Sequence, residues 1–106
     1  MYTDICQNIL KKDCDEKFSC DNHVIYYKIS QGYAKAFKKQ DAHIRLQILK
    51  HMDKALEAPE RQQYMSTTRK GQIEMYFDNK RKRIYYRYDP KENLVEFLEF
   101  SHKKKQ

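Results

Sequence analysis

The chain has 106 residues, which is enough for one hydrophobic core and too few for two cores that each fold alone. Hydrophobic residues make up 40% of the sequence and charged residues 35%, a composition that excludes a disordered or low-complexity chain. With 22 Lys and Arg against 15 Asp and Glu, the net charge is +7, which favours a polyanionic partner or an acidic protein.

The first 22 residues predict an N-terminal extension. Thr3 is a suitable N-cap for a short helix over residues 3–12, and residues 11–22 are polar and mixed in charge, as is typical of a linker. We expect this segment to be tied down weakly or not at all. Alternatively, it is an arm that docks on a partner or on a second copy of the chain.

All three cysteines, Cys6, Cys14 and Cys20, lie in this extension. An odd number of cysteines in one short segment does not make a secreted disulfide framework and fits a reducing cytoplasm. A zinc site with His23 would need closely paired thiolates, which this spacing does not provide. No secretory signal or membrane-spanning stretch is visible. We therefore expect a cytoplasmic protein with no metal, no other cofactor and no membrane partner.

The next stretch predicts one strand followed by two helices. Residues 23–30 are rich in β-branched and aromatic side chains, which favour a strand. Ser30 can cap a helix over residues 31–39. The apolar residues of 42–58 recur at helical spacing, and Pro59 ends that second helix.

The last third of the chain predicts a three-stranded antiparallel meander over residues 72–78, 82–89 and 94–101. Apolar and polar side chains alternate along the first two of these strands, and the third is apolar on both faces, which places it inside the sheet. A strand, a helical hairpin and a meander together predict an α+β domain over residues 23–106. The helices should cover one sheet face and leave the other for function.

This order of elements resembles that of the RelE/ParE toxin superfamily, and the amino-acid sequence of the last third resembles it as well. The residues that carry the likeness are 82–89 (KRIYYRYD), 94–100 (LVEFLEF) and 102–104 (HKK). They are similar to the family pattern of an arginine opening an aromatic strand, an acidic turn, an apolar strand and a terminal basic cluster. Residues 100–106 most resemble the HigB and phage-protein branch.

The resemblance implies the toxin of a type II toxin–antitoxin system, with a cognate antitoxin as partner. For the RNA-cleaving members it further implies a metal-independent endoribonuclease, an mRNA interferase that acts on messenger RNA in the ribosome. In that reaction a ribose 2′-hydroxyl attacks the adjacent phosphate and leaves a 2′,3′-cyclic phosphate. Such chemistry needs a base, an acid and cations that face the phosphorane.

Three residues are candidates for catalysis. Arg83 matches the strand-borne arginine of the family, and its guanidinium fork can hold two phosphate oxygens; the alternative is an ion pair with Glu74 across the strands. His102 matches the terminal histidine and titrates near neutrality, so it could carry protons; the alternative is an ordinary exposed histidine. Glu74 could act as the general base, or it could simply pair with Arg83 or Arg87.

A second group of residues is expected to bind RNA. Aromatic rings can stack on bases and cations can hold backbone phosphates; the residues are Arg81, Arg87, Tyr85, Tyr76, Lys103, Lys104 and Lys105. The alternative for the tyrosines is a half-buried aromatic sheet, and for the lysines a solvated tail. We expect the sheet to gather the arginine, the tyrosines and the terminal imidazole on one cationic concave surface.

The sequence also allows a function of a different class. A non-catalytic protein of the RelE/ParE fold would inhibit a target such as gyrase, or would bind nucleic acid or protein without cleaving RNA.

Overall fold

The computed structural model describes residues 5–7, 9, 17–19, 25–59, 63–64, 72–78 and 81–102, with the backbone alone at residues 19, 63, 64 and 102. The elements with full bounds follow the order β1 (Phe18–Ser19), β2 (Tyr26–Ile29), α1 (Gln31–Lys38), α2 (Ala42–Glu57), β3 (Gln63–Tyr64), β4 (Ile73–Phe77), β5 (Lys82–Asp89) and β6 (Leu94–His102). Residues 5–7 and 9 are helical as well. The predicted strand, helical hairpin and meander are therefore all confirmed.

Local sequence sets the ends of the two helices. Ser30 caps α1 as predicted, because its Oγ accepts a hydrogen bond from the Tyr33 amide at 3.1 Å. The second helix, α2, stops two residues before Pro59, and the Ala58 amide donates the closing bond to the Lys54 carbonyl at 3.1 Å. In the described part of the chain, neither helix is long and apolar enough to cross a membrane.

The strands form one mixed sheet in the order β1-β2-β6-β5-β4-β3. The three strands of the meander pair antiparallel, whereas β2 pairs parallel to β6. This arrangement puts β6 in the interior of the sheet, as its two apolar faces predicted. The strand predicted over residues 23–30 is observed over Tyr26–Ile29, while residues 23 and 24 lie outside the described residues.

A β-bulge interrupts the pairing of β5 with β6. Tyr86 is opposite Phe97 and Tyr85 is opposite Glu99, so Leu98 is an extra residue without a partner in the register. Side chains alternate between the faces of a strand, so one extra residue exchanges the faces of all positions that follow it. Glu99, Phe100 and Ser101 therefore lie on the opposite faces of the sheet from those that they would have in a strand without the bulge.

The two helices cover one face of the sheet, as predicted. The buried strand residues of this face are Tyr27, Ile29, Ile73, Met75, Phe77, Ile84, Tyr86, Val95, Phe97 and Phe100. The ring of Tyr33 on α1 lies 5.5 Å from that of Phe97. The Tyr86 hydroxyl donates a buried hydrogen bond to the Pro59 carbonyl at 2.9 Å, which joins the end of α2 to the sheet.

The described residues of the N-terminal extension belong to the same core. Ile5 and Ile9 are 4% and 1% exposed. The ring of Phe18 lies 5.5 Å from that of Tyr27, and β1 pairs antiparallel with β2. The expectation of a weakly held segment is wrong for these residues, because their apolar side chains complete the core. A division of the chain after residue 22 stays a prediction.

Candidate functional site

The sheet face opposite the helices, which we call the outer face, carries most of the predicted site residues that the structure describes. Strand alternation assigns to it Tyr26, Lys28, Glu74, Tyr76, Arg83, Tyr85, Arg87, Glu96, Glu99 and Ser101. In the pairing of β4 with β5, Tyr76 is opposite Arg83 and Glu74 is opposite Tyr85. Four predicted site residues therefore form one contiguous group.

The guanidinium of Arg83 is half-buried and only partly paired. Its side chain is 29% exposed, and Nη1 lies 3.8 Å from Oε2 of Glu74, which is longer than the roughly 2.7–2.9 Å of a charge-assisted hydrogen bond. Its Nε is buried without a hydrogen-bond partner. A hydrogen bond to the Tyr85 side chain raises the pKa of Arg83 above its usual value. Arg83 is thus a permanent cation whose predicted ion pair with Glu74 is only loosely formed.

Tyr76 presents an exposed ring and a hydrogen-bonded phenol beside Arg83. The guanidinium carbon of Arg83 lies 5.2 Å from the ring centroid, within the range of a cation–π contact. The pKa of Tyr76 is raised, first by a hydrogen bond to the Glu74 side chain, then by burial and by the negative charge of Glu74, while Arg83 opposes the rise. At 37% exposure, the ring is accessible to a stacking partner, as predicted.

Two of the predicted site residues are buried on the outer face. Tyr85 is 6% exposed and Glu74 is 3% exposed. A base cannot stack on a ring that is covered, so the expectation of Tyr85 as a stacking platform is wrong. The Glu74 carboxylate is equally out of reach for a substrate hydroxyl, and it can act as a base only through a neighbouring group. Alternation along the strands predicts the face of these residues but not how deeply they are covered.

The strand register does not support His102 as a neighbour of Arg83. Ser101 is opposite Arg83, and His102 is opposite Lys82. The residue directly opposite Arg83 is therefore Ser101, and the predicted imidazole belongs to the next position along the strand. Lys103, Lys104 and Lys105 lie outside the described residues.

With the geometry of the sheet and the outer face established, the structure can be compared with solved ones. It matches the isolated RelE toxin of E. coli with a TM-score of 0.65 and 14% identity, over 76% of this chain and 85% of that one. It matches RelBE2 of Mycobacterium tuberculosis, a toxin–antitoxin complex, with a TM-score of 0.64 and 15% identity, over 72% and 94%. The chain has the RelE fold.

A third match is the E. coli RelBE toxin–antitoxin complex, with a TM-score of 0.64 and 14% identity, over 74% of this chain and 96% of that one. The sequence itself matches no protein-family model and no curated protein. The likeness therefore lies in the RelE fold, as the order of the elements and the last third of the sequence indicated.

The outer face of this RelE fold is balanced in charge over the described residues. Three basic side chains, Lys28, Arg83 and Arg87, share it with three acidic ones, Glu74, Glu96 and Glu99. Both Lys28 and Arg87 are opposite Glu96 in the register. The expected cationic concave surface is wrong for this part of the chain, because the cross-strand neighbours are acidic. Arg87 is exposed, as a phosphate-binding residue must be, but it faces a carboxylate.

The turn between β4 and β5 contains Arg81, another residue predicted to bind RNA, and it adjoins an ion pair that the sequence analysis did not predict. Arg81 is exposed in this turn, and its amide donates to the Asp78 carbonyl at 3.0 Å. Lys82 is 4% exposed, and its Nζ pairs with the Asp78 carboxylate. Sequence reasoning missed this pair, although a lysine four residues after an acid on a tight hairpin was a usable signal. Among the described residues, no cluster of His, Cys, Asp and Glu is arranged to hold a metal ion.

Proposed function

We propose that this chain is the toxin of a type II toxin–antitoxin system and cleaves messenger RNA as a metal-independent endoribonuclease in the ribosome. The observation that carries the proposal is Arg83, a half-buried and incompletely paired cation on the outer face of a RelE fold. A structural strand arginine would be expected to have its donors satisfied, whereas a ligand-binding one keeps them free.

The outer face provides two of the functions that RNA cleavage requires. The guanidinium of Arg83 binds the scissile phosphate and stabilises the charge that develops on its oxygens. The exposed ring of Tyr76, 5.2 Å from that guanidinium, stacks on a neighbouring base. Arg81 and Arg87, both exposed, contact backbone phosphates further along the strand, and Lys103, Lys104 and Lys105 are proposed to do the same.

A cognate antitoxin is the second proposed partner. Two of the matched structures are toxin–antitoxin complexes, and a chain of the same fold is expected to be inhibited in the same manner. The antitoxin would lay an extended or helical segment across the outer face of the toxin. The test is co-purification of this chain with the product of a neighbouring gene, together with relief of growth arrest by that gene.

Expression in bacteria tests the proposed activity. The wild-type chain should arrest growth and leave messages cut, with 5′-hydroxyl ends downstream of each cut. Arg83→Ala should relieve the arrest and abolish the cuts. Lys50→Ala is the matched control, because it removes an exposed positive charge from α2 and should leave both unchanged. Growth arrest by Arg83→Ala equal to the wild type would contradict the proposal.

The charge balance of the outer face favours a second candidate, a non-catalytic protein that binds a protein target such as gyrase. Three acidic residues beside three basic ones weaken the attraction for a polyanion and suit a protein surface of alternating charge. The two candidates differ in a direct assay. The second predicts inhibition of DNA supercoiling by purified gyrase with no RNA cleavage, whereas the first predicts cleavage and no effect on supercoiling.

A further inference from the structure

The buried Glu74 carboxylate and the exposed Tyr76 phenol are joined beside Arg83, and this pairing suggests how a proton leaves the substrate. We propose that Tyr76 is a catalytic residue that takes the proton of the substrate 2′-hydroxyl, while Glu74 is a positioning residue that takes the phenol proton in the same step. This inference rests on the proposed RNA cleavage, and it names the group at the site that contacts the reacting hydroxyl.

Burial excludes a direct contact between Glu74 and the substrate. Its side chain is almost fully covered, and Oε2 is buried without a hydrogen-bond partner. Nη1 of Arg83 lies 3.8 Å from Oε2, so the carboxylate is close to the proposed phosphate site. A carboxylate that is covered in this way can accept a proton only from a group that touches it.

Tyr76 is that group. It stands two residues from Glu74 on the same strand and on the same face, and its phenol is hydrogen-bonded to the Glu74 side chain. Tyr76 is 37% exposed, unlike Glu74, so a substrate can approach this residue. The raised pKa of Tyr76 means that the phenol holds its proton in the resting state and donates it to the carboxylate. Arg83 lies next to the ring and favours the negative charge that would form on the phenol oxygen.

The step balances as a paired transfer. The 2′-O–H bond breaks and its proton passes to Oη of Tyr76, while the original phenol proton passes to Glu74. The 2′ oxygen forms its bond to phosphorus as the bond from phosphorus to the 5′ oxygen breaks. The 5′ oxygen leaves with a proton from water, and the resulting hydroxide takes the proton back from Glu74 through Tyr76. The protein ends unchanged, and the RNA carries a cyclic phosphate and a free 5′-hydroxyl.

The activity test compares the wild type with Tyr76→Phe, Glu74→Gln and the control Tyr26→Phe. Tyr26 is the other exposed tyrosine of the outer face, on β2. Tyr76→Phe keeps the ring for stacking, so RNA affinity should be retained while the cleavage rate falls by about 100-fold. Glu74→Gln should lower the rate to a similar extent. Tyr26→Phe should cleave like the wild type.

A second readout does not depend on activity. Tyrosines labelled with ¹³C at Cζ can be titrated by NMR, and the signal of Tyr76 is the one absent from Tyr76→Phe. In Glu74→Gln the pKa of Tyr76 should move down towards the ordinary value, because the charged acceptor is gone. An unchanged pKa of Tyr76 in Glu74→Gln would show that the two groups do not share a proton, and would overturn the relay.

The outcomes separate the relay from the function on which it rests. Cleavage by the wild type, with equal cleavage by Tyr76→Phe, overturns the relay and leaves the endoribonuclease proposal standing. If neither the wild type nor Tyr26→Phe cleaves RNA, both the relay and the endoribonuclease proposal are overturned. Both proposals are supported if Tyr76→Phe and Glu74→Gln lose cleavage but keep their RNA affinity, while the wild type and Tyr26→Phe cleave. The pKa of Tyr76 should also be lowered in Glu74→Gln.

Discussion

The Oγ of Ser30 donates a hydrogen bond of 2.8 Å to the carbonyl of Leu98, the extra residue of the bulge in β6. The same Oγ accepts from the Tyr33 amide at the start of α1, and the Ser30 amide donates to the Phe97 carbonyl at 3.0 Å. The Ser30 hydroxyl therefore connects the start of α1 to the bulge in β6. This contact holds the reversal of faces that separates His102 from Arg83 in the register.

We predict that Ser30→Ala lowers the free energy of unfolding by about 1–2 kcal/mol, because it removes both the helix cap and the bond to the bulge. Chemical denaturation measures the change. The neighbouring Gln31→Ala, at an exposed position of the first helical turn, serves as the control and should alter stability by only a few tenths of a kcal/mol. Equal stabilities of the two variants would show that the Ser30 contacts do not hold the bulge.

His102→Ala is predicted to change the RNA cleavage rate by less than about tenfold, against the roughly 100-fold that a proton-transfer residue supplies. The reason is its register opposite Lys82, since Ser101 is the residue opposite Arg83. The rate is measured on ribosome-bound message with purified protein. A loss as large as that of Arg83→Ala would mean that His102 acts at the site despite its place in the strand.

Stability should fall between pH 7.5 and pH 5.5, in part because of His51. Burial lowers the pKa of His51, and Lys54 and Lys50 lower it further, although its bond to the Gln47 carbonyl opposes the shift. Its ring is stacked on Phe77 with centroids 4.2 Å apart. A lowered pKa means that the unfolded chain binds the proton first, so stability is full above the unfolded value and is lost as the pH falls.

His51→Gln should therefore show a smaller loss of unfolding free energy over this pH interval than the wild type. The measurement is denaturant unfolding at several pH values, compared as a slope, since the substitution also removes the stacked ring. Parallel slopes for the two proteins would refute the assignment to His51.

The pair of buried Lys82 with exposed Asp78 gives an asymmetric prediction. Asp78 has a φ of 53°, a backbone conformation that Asn tolerates better than most residues. Asp78→Asn should cost about 1–3 kcal/mol, because it leaves the Lys82 ammonium buried without its counter-ion. Lys82→Met should cost less, since it replaces the buried charge by an apolar chain of similar length. Thermal unfolding ranks the two, and a more harmful Lys82→Met would contradict this account of the pair.

Sequence patterns predicted the long elements because their signals are local. The helix of residues 42–57 has a full apolar stripe, and strands 73–77 and 82–89 alternate regularly. The two-residue strands at the sheet edges, 18–19 and 63–64, were missed, because two residues carry no periodicity and their pairing depends on the neighbouring strand. The packing of Ile5 and Ile9 was missed because a short helix is stable only when it packs, and its sequence does not show which surface it packs against.

The site was predicted in part. Alternation correctly grouped Arg83 with Tyr76, because both strands are regular where they pair. It could not reveal the burial of Glu74 or the acidic neighbour of Arg87, which depend on register between strands. It also could not reveal the bulge at Leu98, since the extra residue is stabilised by Ser30, 68 residues away in the chain.

The most direct test of the central claim is the rate at which purified protein cleaves ribosome-bound messenger RNA, with Arg83→Ala compared with the wild type. If Arg83 holds the scissile phosphate, the wild type cleaves, and the variant, with an unchanged circular dichroism spectrum and melting temperature, is slower by about 100-fold or more. Equal rates for the two folded proteins would contradict the claim, as would the absence of any cleavage by the wild type.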